Sequence, residues 1–180
     1  MEANGTTPMP SIPNPEMFLD RIVSFPNGST YERLRPITDY RRDPGEARIL
    51  FTCRQQSDHG SGSSMTNADD DRELIMKVKI QVPPRPASDD PTIPLSGPSE
   101  MTRAELKALR IFRERGIERV PHLVATTCKT QGPNGPFPNG YISYTIMTKM
   151  PGENLMDFKF WSQSEQLQDE IRSAFLLTLK

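Results

Sequence analysis

Apolar and polar residues alternate over "RELIMKVKIQV" (72–82): Leu74, Met76, Val78 and Ile80 point one way, and Ile75, Lys77, Lys79 and Gln81 the other. That is a strand with one apolar face and one face carrying two lysines. Shorter runs, "YERLRPI" (31–37) and "ARILFTCR" (47–54), predict two earlier strands, joined through "TDYRRDPGE" with a turn signal at Asp43-Pro44-Gly45. "HLVATTCKT" (122–130) and "YISYTIMTKM" (141–150) predict two later ones, joined as a hairpin by the Gly/Pro/Asn loop "QGPNGPFPNG".

The period changes to a helical one in "SEMTRAELKALRIFRERG", which opens at Ser99 or Thr102 and stops at Gly116. Met101, Glu105, Ala108, Leu109 and Phe112 share one face, and Arg103, Lys107, Arg110 and Arg113 share the opposite one. A second helix follows "PGENL". Ser162 and Glu165 have capping-box spacing, and Leu167, Ile171, Ala174, Phe175 and Thr178 fall on one face. Three strands, a helix, two strands and a helical tail predict an α+β fold: a five-stranded antiparallel sheet with one packed helix, followed by a C-terminal helix.

Composition divides the chain further. The hydrophobic fraction of 34% is low for a packed domain, and 18 prolines are about twice the usual share. Residues 1–29 are expected to be loosely attached or disordered, residues 30–150 to form the compact lobe, and 55–71 and 83–98 to be flexible insertions within it. Residues 151–180 form the tail. A net charge of −1 gives no electrostatic footprint for nucleic acid. No apolar run approaches the length that spans a bilayer, and the N-terminus does not read as a signal peptide. Cys53 and Cys128 have no metal or redox spacing, which fits an intracellular, cytoplasmic setting.

The candidate chemistry starts at Glu105, a carboxylate inside an apolar helical stripe. Burying it is costly unless it is paired, and Lys77 and Lys79, on the strand just before, are the nearest cations. In the competing reading Thr102 and Glu105 form a capping box, and the lysines are solvated strand residues.

In this stretch the chain resembles the small, N-terminal lobe of the protein-kinase-like fold, in the form seen in kinase-like proteins of filamentous fungi. "ELIMKVKIQ" is similar to the strand bearing the ATP lysine, "SEMTRAELKALRIF" to the following helix with its glutamate, "ERVPHLV" to the approach to the next strand, and "YTIMTKMPGENL" to the strand that runs into the hinge. The likeness covers roughly residues 30–180 and rests on the order and spacing of these segments. It implies a Lys77–Glu105 ion pair in which Lys79 has no share. Lys77 is preferred because the residue two before it, Ile75, would lie under the adenine, where Lys79 would place Lys77. It also implies that Met147 walls the back of an adenine pocket and that Thr148, Lys149 and Met150 are hinge residues whose backbone groups hold the base.

Two departures weaken the implied activity. The loop between the first two predicted strands has one glycine where kinases cover the phosphates with a glycine-rich loop. Arg41 and Arg42 are read as part of a solvated, charged turn. The sequence also contains no H-R-D or D-F-G segment, so the acceptor-positioning and magnesium-holding acids are missing. Asp157, Asp169 and Glu170 read as a solvated face, so no metal site is expected. The expectation is an incomplete small lobe with a weak or vestigial ATP site, inactive on its own, with residues 151–180 as the hinge exit and the start of a truncated helical large lobe. The alternative is a non-catalytic, pseudokinase-like interaction module that uses residues 163–180 for a protein partner or self-association, with no nucleic acid or membrane involved. A third reading is a plain structural domain.

Overall fold

The computed structural model describes residues 17–43, 45–56, 73–83, 93–153 and 155–178. Seven strands and two helices follow in chain order: β1 (Ile22–Ser24), β2 (Thr30–Pro36), β3 (Arg41–Asp43), β4 (Glu46–Gln55), β5 (Leu74–Gln81), α1 (Glu100–Glu114), β6 (Leu123–Thr130), β7 (Tyr141–Thr148) and α2 (Glu165–Thr178). All strands are antiparallel, in the order β1-β2-β4-β5-β7-β6, with β3 also on β4.

The α+β class stands, with seven strands in place of five. Both additional strands are three residues long, too short to carry a period. β1 belongs to the segment expected to be loose, yet Leu19, Val23 and Phe25 are buried in the core. The N-terminal expectation is therefore corrected for residues 17–29, while residues 1–16 lie outside the described residues. β3 and β4 form a hairpin across Asp43 and Glu46, and Gly45 has φ +69°. The predicted turn falls within this hairpin, with Pro44 itself outside the described residues, and what flanks it is sheet, not loop. Of the expected insertions 55–71 and 83–98, residues 57–71 and 84–92 lie outside the described residues. Residues 93–95 are held to the sheet: Gln81 Nε2 donates to the Ile93 carbonyl at 2.9 Å, and Leu95 N–H donates to Gln81 Oε1 at 2.8 Å.

Alternation along β5 divides the sheet into two faces. Met76, Val78 and Ile80 lie opposite Phe51, Ile49 and Ala47 of β4, and opposite Ile146, Tyr144 and Ile142 of β7. These side chains are buried in one cluster, which also takes Val23 from one end of the strand order and Ala125 from the other. A single cluster fed from both ends requires the sheet to curl around it. Cys53 sits in this core with no exposed surface, and burial pushes its thiol pKa up to about 12. Cys128, on β6, is exposed.

The other face carries Ile75, Lys77, Lys79 and Gln81, and α1 packs over it with far less apolar contact. Leu106, Leu109 and Leu123 form a separate small cluster. Ser99 caps the helix, its Oγ accepting from Thr102 N–H at 3.2 Å. At the other end, Gly116 (φ +64°) donates to the Arg113 carbonyl and Ile117 to that of Phe112, a Schellman closure. The buried stripe is Thr102, Leu106 and Leu109, rotated from the predicted face, and Met101 is 80% exposed.

In α2 the cap is Ser164, whose Oγ accepts from Leu167 N–H at 3.4 Å, so Ser162 does not fill that role. Phe175, Leu176 and Leu177 are exposed by 62%, 60% and 65%. No helix among the described residues is long and apolar enough to cross a membrane.

Candidate functional site

Lys77 and Lys79 leave β5 on the same face, two positions apart. Lys77 stands between Leu50 and Thr145, and Lys79 between Arg48 and Ser143. Glu105 reaches down from α1 and meets both. Its Oε1 pairs with Lys77 Nζ, and its Oε2 lies 2.9 Å from Lys79 Nζ. The expected Lys77–Glu105 pair is present, but its exclusivity is corrected: Lys79 shares the carboxylate. The solvated-strand reading also fails for Lys79, whose side chain is only 10% exposed, against 17% for Lys77. A carboxylate with two oxygens on a rotatable stem bridges two cations spaced by one strand repeat. The capping-box reading of Thr102 and Glu105 fails because Thr102 lies inside the helix that Ser99 caps.

The polar set extends beyond the three predicted residues. Lys79 Nζ also donates to Thr102 Oγ1 at 3.0 Å and lies 3.5 Å from Glu46 Oε1. Glu46 Oε2 accepts from Tyr141 OH at 2.6 Å and from the Ser99 and Thr102 hydroxyls at 2.9 Å each. Two carboxylates thus balance two ammonium groups where β4, β5, β7 and α1 meet. Burial pushes the Glu105 carboxyl up, but the hydrogen bonds from Lys77 and Lys79 outweigh it and hold the group below its ordinary value. Burial, with the hydrogen bond to Glu46 adding to it, raises the Tyr141 phenol. Sequence reasoning missed Glu46 and Tyr141. The available signal was alternation on β4, which puts Glu46 on the face opposite Ala47, Ile49, Phe51 and Cys53, toward the lysines.

Met147 lies beside Ile75 on β5 and Leu123 on β6, and all three are buried. This apolar row sits one strand repeat from Lys77. Thr148 ends β7. Its backbone N–H donates to the His122 carbonyl at 3.0 Å, and its hydroxyl accepts from His122 N–H at 2.9 Å, so that amide is already occupied. Lys149 is exposed and ion-pairs with Glu73, just before β5; Met150 is half-buried. Glu73 also lies 3.7 Å from Arg35.

On the far side of β4, Ile37 N–H donates to the Leu50 carbonyl at 2.9 Å and Leu50 N–H to Thr38 Oγ1 at 3.1 Å. A cavity of about 360 Å³ opens there, lined by Pro36, Ile37, Thr38, Asp39, Arg41 and Asp157. Arg42 turns away and donates to the Pro83 carbonyl. Among the described residues, no group of three or more His, Cys, Asp or Glu side chains converges as a metal site. Compared with protein-family profiles, characterised proteins and solved structures, the chain gives no match.

Proposed function

We propose that this chain is a protein-kinase-like small lobe whose sheet face around Lys77 binds an adenine nucleotide weakly, without turnover by the chain alone. The observation that carries this reading is the Lys77 ammonium, on a strand beside the Ile75–Met147 apolar row and paired with a glutamate of the helix that follows that strand. In this reading Lys77 holds a phosphate oxygen, while Ile75 and Met147 contact the base. The part of the hinge sits with the backbone of Lys149 and Met150, because the Thr148 amide is engaged. Binding is weak because no cradle of glycine amides covers the phosphates and the residues that hold magnesium are absent from the sequence. Equilibrium dialysis with radiolabelled ATP and adenosine tests it. ATP should bind with a dissociation constant of about a millimolar, equivalent to ~4 kcal/mol, and more tightly than adenosine. Radiolabelled phosphate transfer should stay at background. Equal retention of the two ligands, or none, would sink the nucleotide reading, and transfer lost on Lys77→Met would sink the claim of inactivity.

A second reading is favoured by α2, where three consecutive large apolar residues, Phe175 to Leu177, are all more than half exposed. Here the chain is a non-catalytic interaction module that self-associates or takes a protein partner through residues 163–180. Sedimentation of the chain with and without those residues tests self-association: a monomer in both forms would contradict it.

A further inference from the structure

We propose that Lys79 is the main fastening of α1 to the sheet, while Lys77, held to α1 through Glu105 alone, keeps donors that face an anionic oxygen of a ligand. Hydrogen-bond accounting carries the first half. An ammonium has three donors. Lys79 donates to Thr102 Oγ1 at 3.0 Å and ion-pairs with Glu105 Oε2 at 2.9 Å and, more loosely, with Glu46 Oε1 at 3.5 Å, so three acceptors surround its ammonium. Two of the three lie on α1, and the third belongs to a carboxylate that accepts from the Ser99 cap and from Tyr141. Lys79 is therefore the centre of a polar latch joining the first turns of the helix to three strands. The latch matters because, among the described residues, the buried apolar cluster that α1 joins is small, Leu106, Leu109 and Leu123.

Lys77 is different. Among the described residues its ammonium has a single partner, Glu105 Oε1, and more of its side chain reaches solvent. Two of its donors are left for something else. That the ligand oxygen is a nucleotide phosphate rests on the reading under Proposed function; the fastening role of Lys79 does not.

Amide hydrogen exchange over residues 106–113, compared with β5 and β7 in the same protein, separates the two halves. Lys79→Met should speed exchange of α1 relative to the strands by about tenfold or more, the change expected for loss of a charged hydrogen bond. Thr102→Val, which removes from the latch the hydroxyl that bonds Lys79 and Glu46 and changes no charge, should do the same and decides the matter should Lys79→Met fail to fold. Lys77→Met, which removes one contact to Glu105, should speed α1 exchange clearly less than Lys79→Met does and abolish ATP retention, and Lys77→Arg should restore part of it. An α1 loosened as much by Lys77→Met as by the latch variants, or indifferent to Thr102→Val, overturns the fastening role. ATP retained by Lys77→Met overturns the ligand half alone. A wild-type chain that retains no ATP removes the nucleotide reading with that half, and the exchange comparison still decides which lysine holds the helix.

Discussion

Glu105→Gln is the most informative single change in the polar set. It preserves shape and removes one charge, leaving Lys77 and Lys79 on one strand face with an amide between them. A fully buried pair broken on one side loses about 3–5 kcal/mol, and an exposed pair at most about 1 kcal/mol. The Glu105 side chain is 31% exposed, and its partners are 17% and 10% exposed. That intermediate burial places the loss at about 2 kcal/mol, because the amide oxygen still accepts one hydrogen bond while the two ammonium groups repel. For a chain of this size ~2 kcal/mol lowers the melting temperature by roughly 4–8 °C. The assay is urea and thermal unfolding of both proteins across a pH series. Glu105 has a lowered pKa in the folded state relative to an ordinary 4.5. Its contribution is therefore fully present above that value and is lost as pH falls through the folded pKa. The gap between wild type and variant should be constant near neutral pH and should close below about 4.5. A gap under ~0.5 kcal/mol at pH 7, the level of an ordinary surface change, or one that persists unchanged into acid, would refute the assignment of a charged, paired Glu105.

Three further outcomes are expected. Met76→Ala empties a site with no exposed surface between Phe51 and Ile146 and should cost about 2–5 kcal/mol in urea unfolding. Gly140→Ala should cost about 1–3 kcal/mol by the same measurement, because its Cβ would come within 2.8 Å of Gln81 Oε1 and 2.9 Å of the Phe137 carbonyl. Leu176→Glu, at an exposed position of α2, should change stability by less than ~0.5 kcal/mol while reducing any self-association seen by sedimentation.

What could be read from the sequence follows from how local each signal is. β5 is legible because eight alternating residues leave no other period, and the strands 47–54 and 141–150 because apolar runs are bounded by turn residues. β1 is not: Ile22–Ser24 is too short for any pattern, and its place depends on pairing with β2. Glu105 announced itself as an acid within an apolar stripe. The share taken by Lys79 did not, since it depends on the rotation of α1 about its axis, and that is fixed by Thr102 meeting Glu46 and Lys79. Choosing Lys77 alone used the chemistry of a hypothetical base and left out the reach of a bridging carboxylate. Glu46 and Tyr141 lie far apart in the chain, and only the register of β4 on β5 and of β5 on β7 brings them together.

The two cysteines give the molecule a built-in clock. Cys53 lies in β4 between β2 and β5, opposite Arg33 and Leu74, with its thiol sealed in the core. Only the thiolate reacts with an alkylating reagent, so Cys53 is silent for as long as those ladders hold. Cys128 is exposed on β6; partial burial pushes its thiol up and slows the reaction, but it is modified without waiting for the fold. In one labelling time course the early mass increment counts molecules, and the late one times the parting of β4 from its neighbours, under native conditions and without any denaturant.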